Sequence, residues 1–185
     1  MKKLLFAVLV LCMITVNTAN AQQHNRGVSG LTLSATGLYT SKFSFGGEAM
    51  YIHYLTRNIT LQSGVFWDRI MFSVEQNSYP IDTYGVRADA LYLILKGKGF
   101  YLNLGAGLGL GLENVSLAKK RLQEQYIIIE NLKNRFSLGL EAKIQAEYFV
   151  LPELALVGDV RGVYRPFSNT YSFIPALSLG IKKLF

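Results

Sequence analysis

The charged residues that could carry out chemistry recur inside segments in which every second residue is apolar. Both signs are present, so these groups could form a proton or ion path, a catalytic pair of carboxylates, or a set of structural ion pairs. Because acids and bases are spread over many segments, we expect them to face one another and pair. The nine residues of this interior set are Glu48, Arg87, Asp89, Glu141, Lys143, Glu147, Asp159, Arg161 and Arg165.

No other pattern in the sequence points to a cofactor or a catalytic centre. The chain has two histidines and one cysteine, Cys12, which are too few for a metal-ligand spacing. The G-x-S-x-G, P-loop and complete G-x-G-x-x-G patterns are absent from the sequence. We therefore expect no metal, no cofactor and no enzymatic activity.

The interior set must be positioned by β-strands with a strict two-residue period. The sharpest example is 100–112, where apolar residues alternate with glycine or polar residues. Such a period is typical of a strand whose two faces meet different surroundings. These thirteen residues reach about 43 Å at about 3.3 Å each, and a tilt near 45° leaves about 30 Å along the membrane normal. This length matches the hydrocarbon core of a bilayer.

The same period recurs in seven further segments. An even number of strands permits closure, so the sequence predicts an all-β fold, an eight-stranded antiparallel transmembrane β-barrel with a filled polar interior. We expect the inward glycines of the fifth strand to make room for Arg and Tyr side chains opposite. The predicted strands are 31–39, 43–51, 59–68, 84–93, 100–112, 136–148, 154–164 and 173–185.

The connections between the predicted strands alternate in length. Tight polar turns at 55–58, 96–99 and 150–153 are expected on the periplasmic side, and longer loops at 70–82 and 113–135 outside the cell. Basic residues of the second long loop could bind lipopolysaccharide phosphates, and its β-branched run could pair with a partner strand. We favour the simpler interpretation, that this loop covers the barrel mouth or extends its two strands. The candidate interaction loop contains Lys119, Lys120, Arg121, Tyr126, Ile127, Ile128 and Ile129.

The start of the chain has the pattern of a secretory signal peptide. Lys2 and Lys3 precede an apolar run at 4–16, and small residues at 19–21 form a cleavage site. The run is too short for a membrane helix. We therefore predict a cleaved signal peptide at 1–21 and a barrel at 22–185 in a bacterial outer membrane.

The composition indicates which classes of molecule the protein is expected to bind. The formal net charge is +7 and half of the residues are apolar. The basic balance suits anionic lipid phosphates, and without clustered basic and aromatic motifs no direct nucleic-acid binding is expected. Outer-membrane lipid and lipopolysaccharide are the expected partners.

Two alternatives remain open at this point. Some outer-membrane lipid A hydrolases use a His and a Ser on the barrel wall, and His53 with Ser63 could form such a pair. We favour an unpaired interfacial histidine, and we place His24 in a polar leader at 22–26. The other alternative is a soluble ligand-binding barrel of the lipocalin kind, which requires apolar residues inside and polar residues outside.

Several features of the second half of the chain together carry a resemblance to a known family. They are the Gly-rich strand at 104–112, the strand at 136–148 with its glutamates, the Leu-Pro-Glu turn at 151–153, Val160-Arg161, and the closing segment at 177–185. In these features, roughly residues 100 to 185, the chain resembles the TraO family of conjugative-transposon transfer proteins.

The resemblance implies a non-enzymatic accessory of a conjugative DNA-transfer apparatus in the outer membrane. Such a protein would work through contacts with other transfer-apparatus proteins. No catalytic residue is carried over from the family. The alternative is a general small outer-membrane barrel that serves adhesion or envelope integrity.

Overall fold

The computed structural model describes residues 24–40, 42–74, 77–115, 134–168 and 171–185. These residues form eight antiparallel strands, each hydrogen-bonded to its neighbours in chain order. No helix in these ranges is both long enough and apolar enough to span a membrane. The strands are β1 Ser29–Tyr39, β2 Phe43–Tyr54, β3 Ile59–Val74, β4 Asn77–Lys96, β5 Phe100–Asn114, β6 Arg135–Leu151, β7 Leu154–Tyr164 and β8 Phe173–Leu184.

The sheet closes on itself through its first and last strands. β1 pairs with β8 from Gly30 opposite Leu184 to Leu38 opposite Ala176. Closure leaves no strand edge with unpaired backbone groups, which hydrocarbon would not tolerate. The predicted fold class, an eight-stranded antiparallel transmembrane barrel, is confirmed.

The outer wall of the barrel is apolar and the inner wall is polar. In β6, Leu140 and Ile144 point outward and are 46% and 50% exposed, whereas Glu141 and Lys143 are 6% and 3% exposed. A continuous outer surface of leucine and isoleucine is favourable only where lipid covers it. This arrangement is the reverse of the soluble-barrel alternative, which is therefore wrong.

The predicted outer loop at 70–82 is wrong, because β3 and β4 continue through it. Their pairing runs from Ile70 opposite Ile81 to Val74 opposite Asn77. Polar residues and Pro80 conceal the strand period here, since proline is uncommon inside strands. Three side chains of this extension are nonetheless buried, Ile70, Ile81 and Tyr79. Their burial stabilises the continuation of both strands.

The three predicted tight turns are confirmed. Their location on the periplasmic side stays a prediction, and we call the end of the barrel that carries them the periplasmic end and the opposite end the extracellular end. Gly99, at the turn between β4 and β5, has a φ of +74°, a left-handed value that glycine adopts without steric strain. Residues 55–58 separate β2 from β3, 97–99 separate β4 from β5, and 152–153 separate β6 from β7, so two of the three turns are shorter than predicted.

The other long connection is described only at its two ends. β5 and β6 remain paired as far as Glu113 opposite Arg135. The candidate interaction loop, Lys119 to Arg121 and Tyr126 to Ile129, lies outside the described residues, as does the predicted signal peptide at 1–21.

Candidate functional site: the charged interior and the barrel rims

The centre of the barrel interior is a network of carboxylates and arginines from four strands. Glu48 on β2 accepts hydrogen bonds from Arg87 on β4 and from Arg161 on β7, the second at 2.7 Å. Arg87 Nε lies 2.6 Å from Glu141 Oε1. These pairs join non-adjacent strands across the barrel, so the wall is braced from within.

Hydroxyl groups complete the network beside Arg161. Its Nη2 donates to Thr36 Oγ1 at 2.9 Å and to Ser178 Oγ at 2.8 Å. Asp159 is the weakly paired member, because its Oδ1 lies 3.8 Å from Arg161 Nε and has no hydrogen-bond partner among the described residues. A carboxylate in that position contributes less to the network than Glu48 does.

A second layer lies towards the periplasmic side of this network. Lys143 Nζ donates to Asp89 Oδ2 at 2.5 Å and to Gln62 Oε1 at 3.1 Å. The amide of Gln62 in turn donates to Gln145 Oε1 at 3.1 Å. The layer therefore joins β3 and β4 to β6 through hydrogen-bonded side chains.

The extracellular end of the interior is sealed by an aromatic ring and an apolar cluster. Phe66 lies between two guanidinium groups, 4.6 Å from Arg87 and 5.8 Å from Arg165. Arg165 also pairs with Asp68. Above them lies a cluster of buried apolar side chains, formed by Leu38, Ile70, Ile174 and Ala176.

The periplasmic end is organised around the fully buried carboxylate of Glu147. Lys182 Nζ lies 2.6 Å from its Oε1, and Asn103 Nδ2 donates to the same oxygen at 3.0 Å. The Tyr54 hydroxyl donates to its Oε2 at 3.4 Å. Every charge in this layer thus has a close partner of opposite sign or a hydrogen bond.

The glycines of β5 accommodate neighbours other than those predicted. A Cβ on Gly107 would lie 1.9 Å from Asp89 Oδ1, and one on Gly105 would lie 2.2 Å from Leu91 Cδ2. The prediction that they make room for Arg and Tyr is wrong. Asp89 and Leu91 of β4, which pair with these two glycines, occupy the space beside them. The arginine side chains extend to carboxylates instead.

All nine residues of the interior set lie inside the barrel, with at most 9% of their surface exposed. The structure adds Asp68, Glu113, Lys182 and His24 to the buried charged or titratable groups of the interior. The strand period places Asp68 and Lys182 on the inward face, so that signal was available. His24 precedes β1 and has no strand period that could reveal its burial.

The interior has the chemistry of a structural core. In the described ranges, no cluster of three or more His, Cys, Asp or Glu residues could hold a metal ion. Side chains from facing strands interdigitate across the lumen, as expected for eight strands. The arrangement stabilises the barrel and leaves its rims and outer wall for contacts with other molecules.

His53 has a different neighbour from the one considered. Ser29 Oγ lies 3.0 Å from His53 Nδ1, and the Tyr51 hydroxyl donates to Ser29 Oγ at 2.8 Å. Ser63 lies opposite Tyr51 in the strand register. The expectation of an unpaired histidine is therefore wrong, since His53 belongs to a chain of hydrogen bonds at the periplasmic rim.

At the extracellular rim an outward carboxylate is shielded by two side chains. Arg69 donates to both oxygens of Asp82 at 2.7 and 2.9 Å, and the Trp67 indole donates to Asp82 at 3.2 Å. Asp82 is consequently only 4% exposed. An indole with one polar partner is suited to the boundary between lipid and water.

These features define the class: a small transmembrane barrel with a closed, charge-paired interior. No known family model matches the chain, and no curated protein matches it. Solved structures that it resembles are outer-membrane barrels, and at the identities given below they show the fold alone.

Three of these structures illustrate the similarity. Neisserial surface protein A is 16% identical with a TM-score of 0.60, covering 85% of this chain and 96% of that chain. OprG from Pseudomonas aeruginosa is 11% identical with a TM-score of 0.57, covering 90% and 99%. Ail of Yersinia pestis, in complex with the heparin analogue sucrose octasulfate, is 16% identical with a TM-score of 0.52, covering 86% and 99%.

The different pairing of two carboxylates gives a testable contrast. Glu48→Gln leaves Arg87 and Arg161 without their shared carboxylate, so we expect a loss of about 3–5 kcal/mol in the free energy of unfolding. Asp159→Asn removes a weakly paired charge, and we expect a change within about 1 kcal/mol. Urea titration of both variants in lipid vesicles measures the difference; equal losses would contradict the assignment.

Proposed function

We propose that this chain is a non-enzymatic outer-membrane barrel that serves adhesion or envelope integrity through its rims and outer wall. It resides in a bacterial outer membrane after removal of its signal peptide. The apolar wall supports the membrane location, because thirty or more large side chains of the described residues would otherwise face water. The similar solved barrels support the outer membrane in particular.

The observation that carries this proposal is the filled interior. Charged pairs span the lumen at the level of Glu48 and again at Lys143 and Glu147. A solute would have to separate these pairs, and breaking a buried pair is strongly unfavourable. Passage of a solute through the lumen is therefore disfavoured, and a function carried out at the surface of the barrel is favoured.

Conductance measurements test the closed lumen. The purified barrel in a planar lipid bilayer is expected to show no stable open-channel current. The matched variant Arg87→Ala with Arg161→Ala removes two large central side chains and is expected to raise the frequency of current steps. Stable, uniform channels in the unmodified barrel would contradict the proposal.

Lipopolysaccharide is the proposed lipid partner on the outer side. Ail has been solved with a sulfated heparin analogue, which is polyanionic as lipopolysaccharide is. In this chain the basic triplet 119–121 is the sequence feature suited to phosphate groups.

Retention of lipopolysaccharide on the detergent-purified barrel tests this contact. Replacing Lys119, Lys120 and Arg121 together by alanine is expected to lower retention severalfold and to weaken its dependence on salt. Lys183→Ala, at an exposed periplasmic ion pair with Glu153, is the control and is expected to leave retention unchanged. Equal retention in all three proteins would remove the triplet from the proposal.

The conjugative role implied by the resemblance to TraO stands as a second proposal, without support from the similar solved structures. A gene deletion separates the two roles. For a surface barrel we expect weakened attachment or greater sensitivity to detergents, with unchanged mating frequency. A loss of mating with an intact envelope would favour the transfer apparatus instead.

A further inference from the structure

The residues before β1 fold back into the periplasmic mouth of the barrel. Gly27 N donates to Tyr54 O at 2.8 Å, and Tyr54 N donates to Val28 O at 2.9 Å. His24 has a φ of +41° and Gly27 a φ of +85°. A positive φ is uncommon for a residue other than glycine, and contacts of the His24 side chain stabilise the segment in this conformation.

Those contacts come from three aromatic rings. The imidazole of His24 stacks on Tyr101 with ring centres 4.1 Å apart and planes inclined by 10°. Tyr54 lies tilted against it at 4.6 Å, and Phe149 meets it edge-on at 6.4 Å. The ring is 3% exposed, so it is enclosed on nearly every side.

A carboxylate forms the floor of this enclosure. His24 Nε2 donates to Glu147 Oε2 at 3.2 Å. Lys182 and Asn103 bind the other oxygen of Glu147, so the carboxylate is fixed in place whether or not the imidazole is present. His24 Nδ1 has no hydrogen-bond partner among the described residues, so the imidazole is bound through one N–H and through its contacts with the three aromatic rings.

Among the buried polar residues, Arg165 directly follows β7, whereas His24 lies on no strand and belongs to the segment before β1. The sheet pairs from β1 to β8 without it, and the aromatic rings belong to β2, β5 and β6. Removal of the imidazole would therefore leave the strand pairing intact and leave a cavity of its own shape.

We propose that Tyr54, Tyr101, Phe149 and Glu147 form a binding site for an imidazole group, which His24 occupies in cis. We call it the imidazole cage. Its ligand class is a histidine side chain or free imidazole. In the intact chain the cage anchors residues 24–28 across the periplasmic mouth. This inference goes beyond the proposed surface function and does not depend on it.

Chemical rescue tests the imidazole cage. The variant His24→Gly removes the ligand, and glycine adopts the positive φ at this position without strain. We titrate free imidazole into the detergent-solubilised variant and follow the Tyr101 and Glu147 resonances by NMR. We expect saturable shifts in about the millimolar range, and none in the unmodified protein, where the cage is filled.

Two further variants serve as controls. Tyr101→Leu in the His24→Gly background removes the stacking face and is expected to weaken imidazole binding about tenfold. His53→Gly removes the histidine at the rim, outside the cage, and is expected to create no imidazole site. Similar binding to all the variants, or no saturable binding to a folded His24→Gly barrel, would overturn the proposal.

A second measurement, amide hydrogen exchange on the unmodified protein, tests the proposal even if the His24→Gly variant does not fold. The amide of Gly27, and that of Tyr54 at the end of β2, are expected to exchange as slowly as amides in the middle of β2. Fast exchange at both amides in the folded barrel would show that the segment is not seated, and the proposal would fall.

Discussion

The structure depends on one constraint: within hydrocarbon, each backbone N–H and C=O must find a partner in the protein itself. A sheet meets this condition only when its first strand pairs with its last, as β1 and β8 do. Closure with eight strands then fixes the width of the lumen, which is just enough to be filled by side chains. The apolar wall, the charged core and the absence of an open lumen among the described residues all follow from this closure.

In the charged core, the cost of burying each charge must be offset by its partners. Moving an ion from water into a protein interior costs several kcal/mol, and only a close partner of opposite charge offsets that cost. Glu48 and Glu147 each have such partners. The Ser178 hydroxyl accepts a hydrogen bond from Arg161, and the Asn103 amide donates one to Glu147. The core thus specifies which strands face one another, because a shifted register would separate the pairs.

The fold could be predicted from the sequence because lipid and lumen impose opposite polarities on successive residues. The same period placed the nine residues of the interior set on the inward face. It could not show which acid meets which base, since Glu48 and Arg161 lie far apart in the chain. It failed at 70–82, where polar residues mask the strands, and at His24, whose burial depends on rings from three separate strands.

The pairing of Gly30 with Leu184 also bears on the order of assembly. Neighbouring hairpins can form as soon as their two strands exist, because their contacts are local. The β1–β8 seam joins the two extremes of the sheet, so it incurs the largest loop-closure entropy and forms last. Until then two bare strand edges are exposed, and a nascent chain in that state needs a host that shields both edges until the ring is complete.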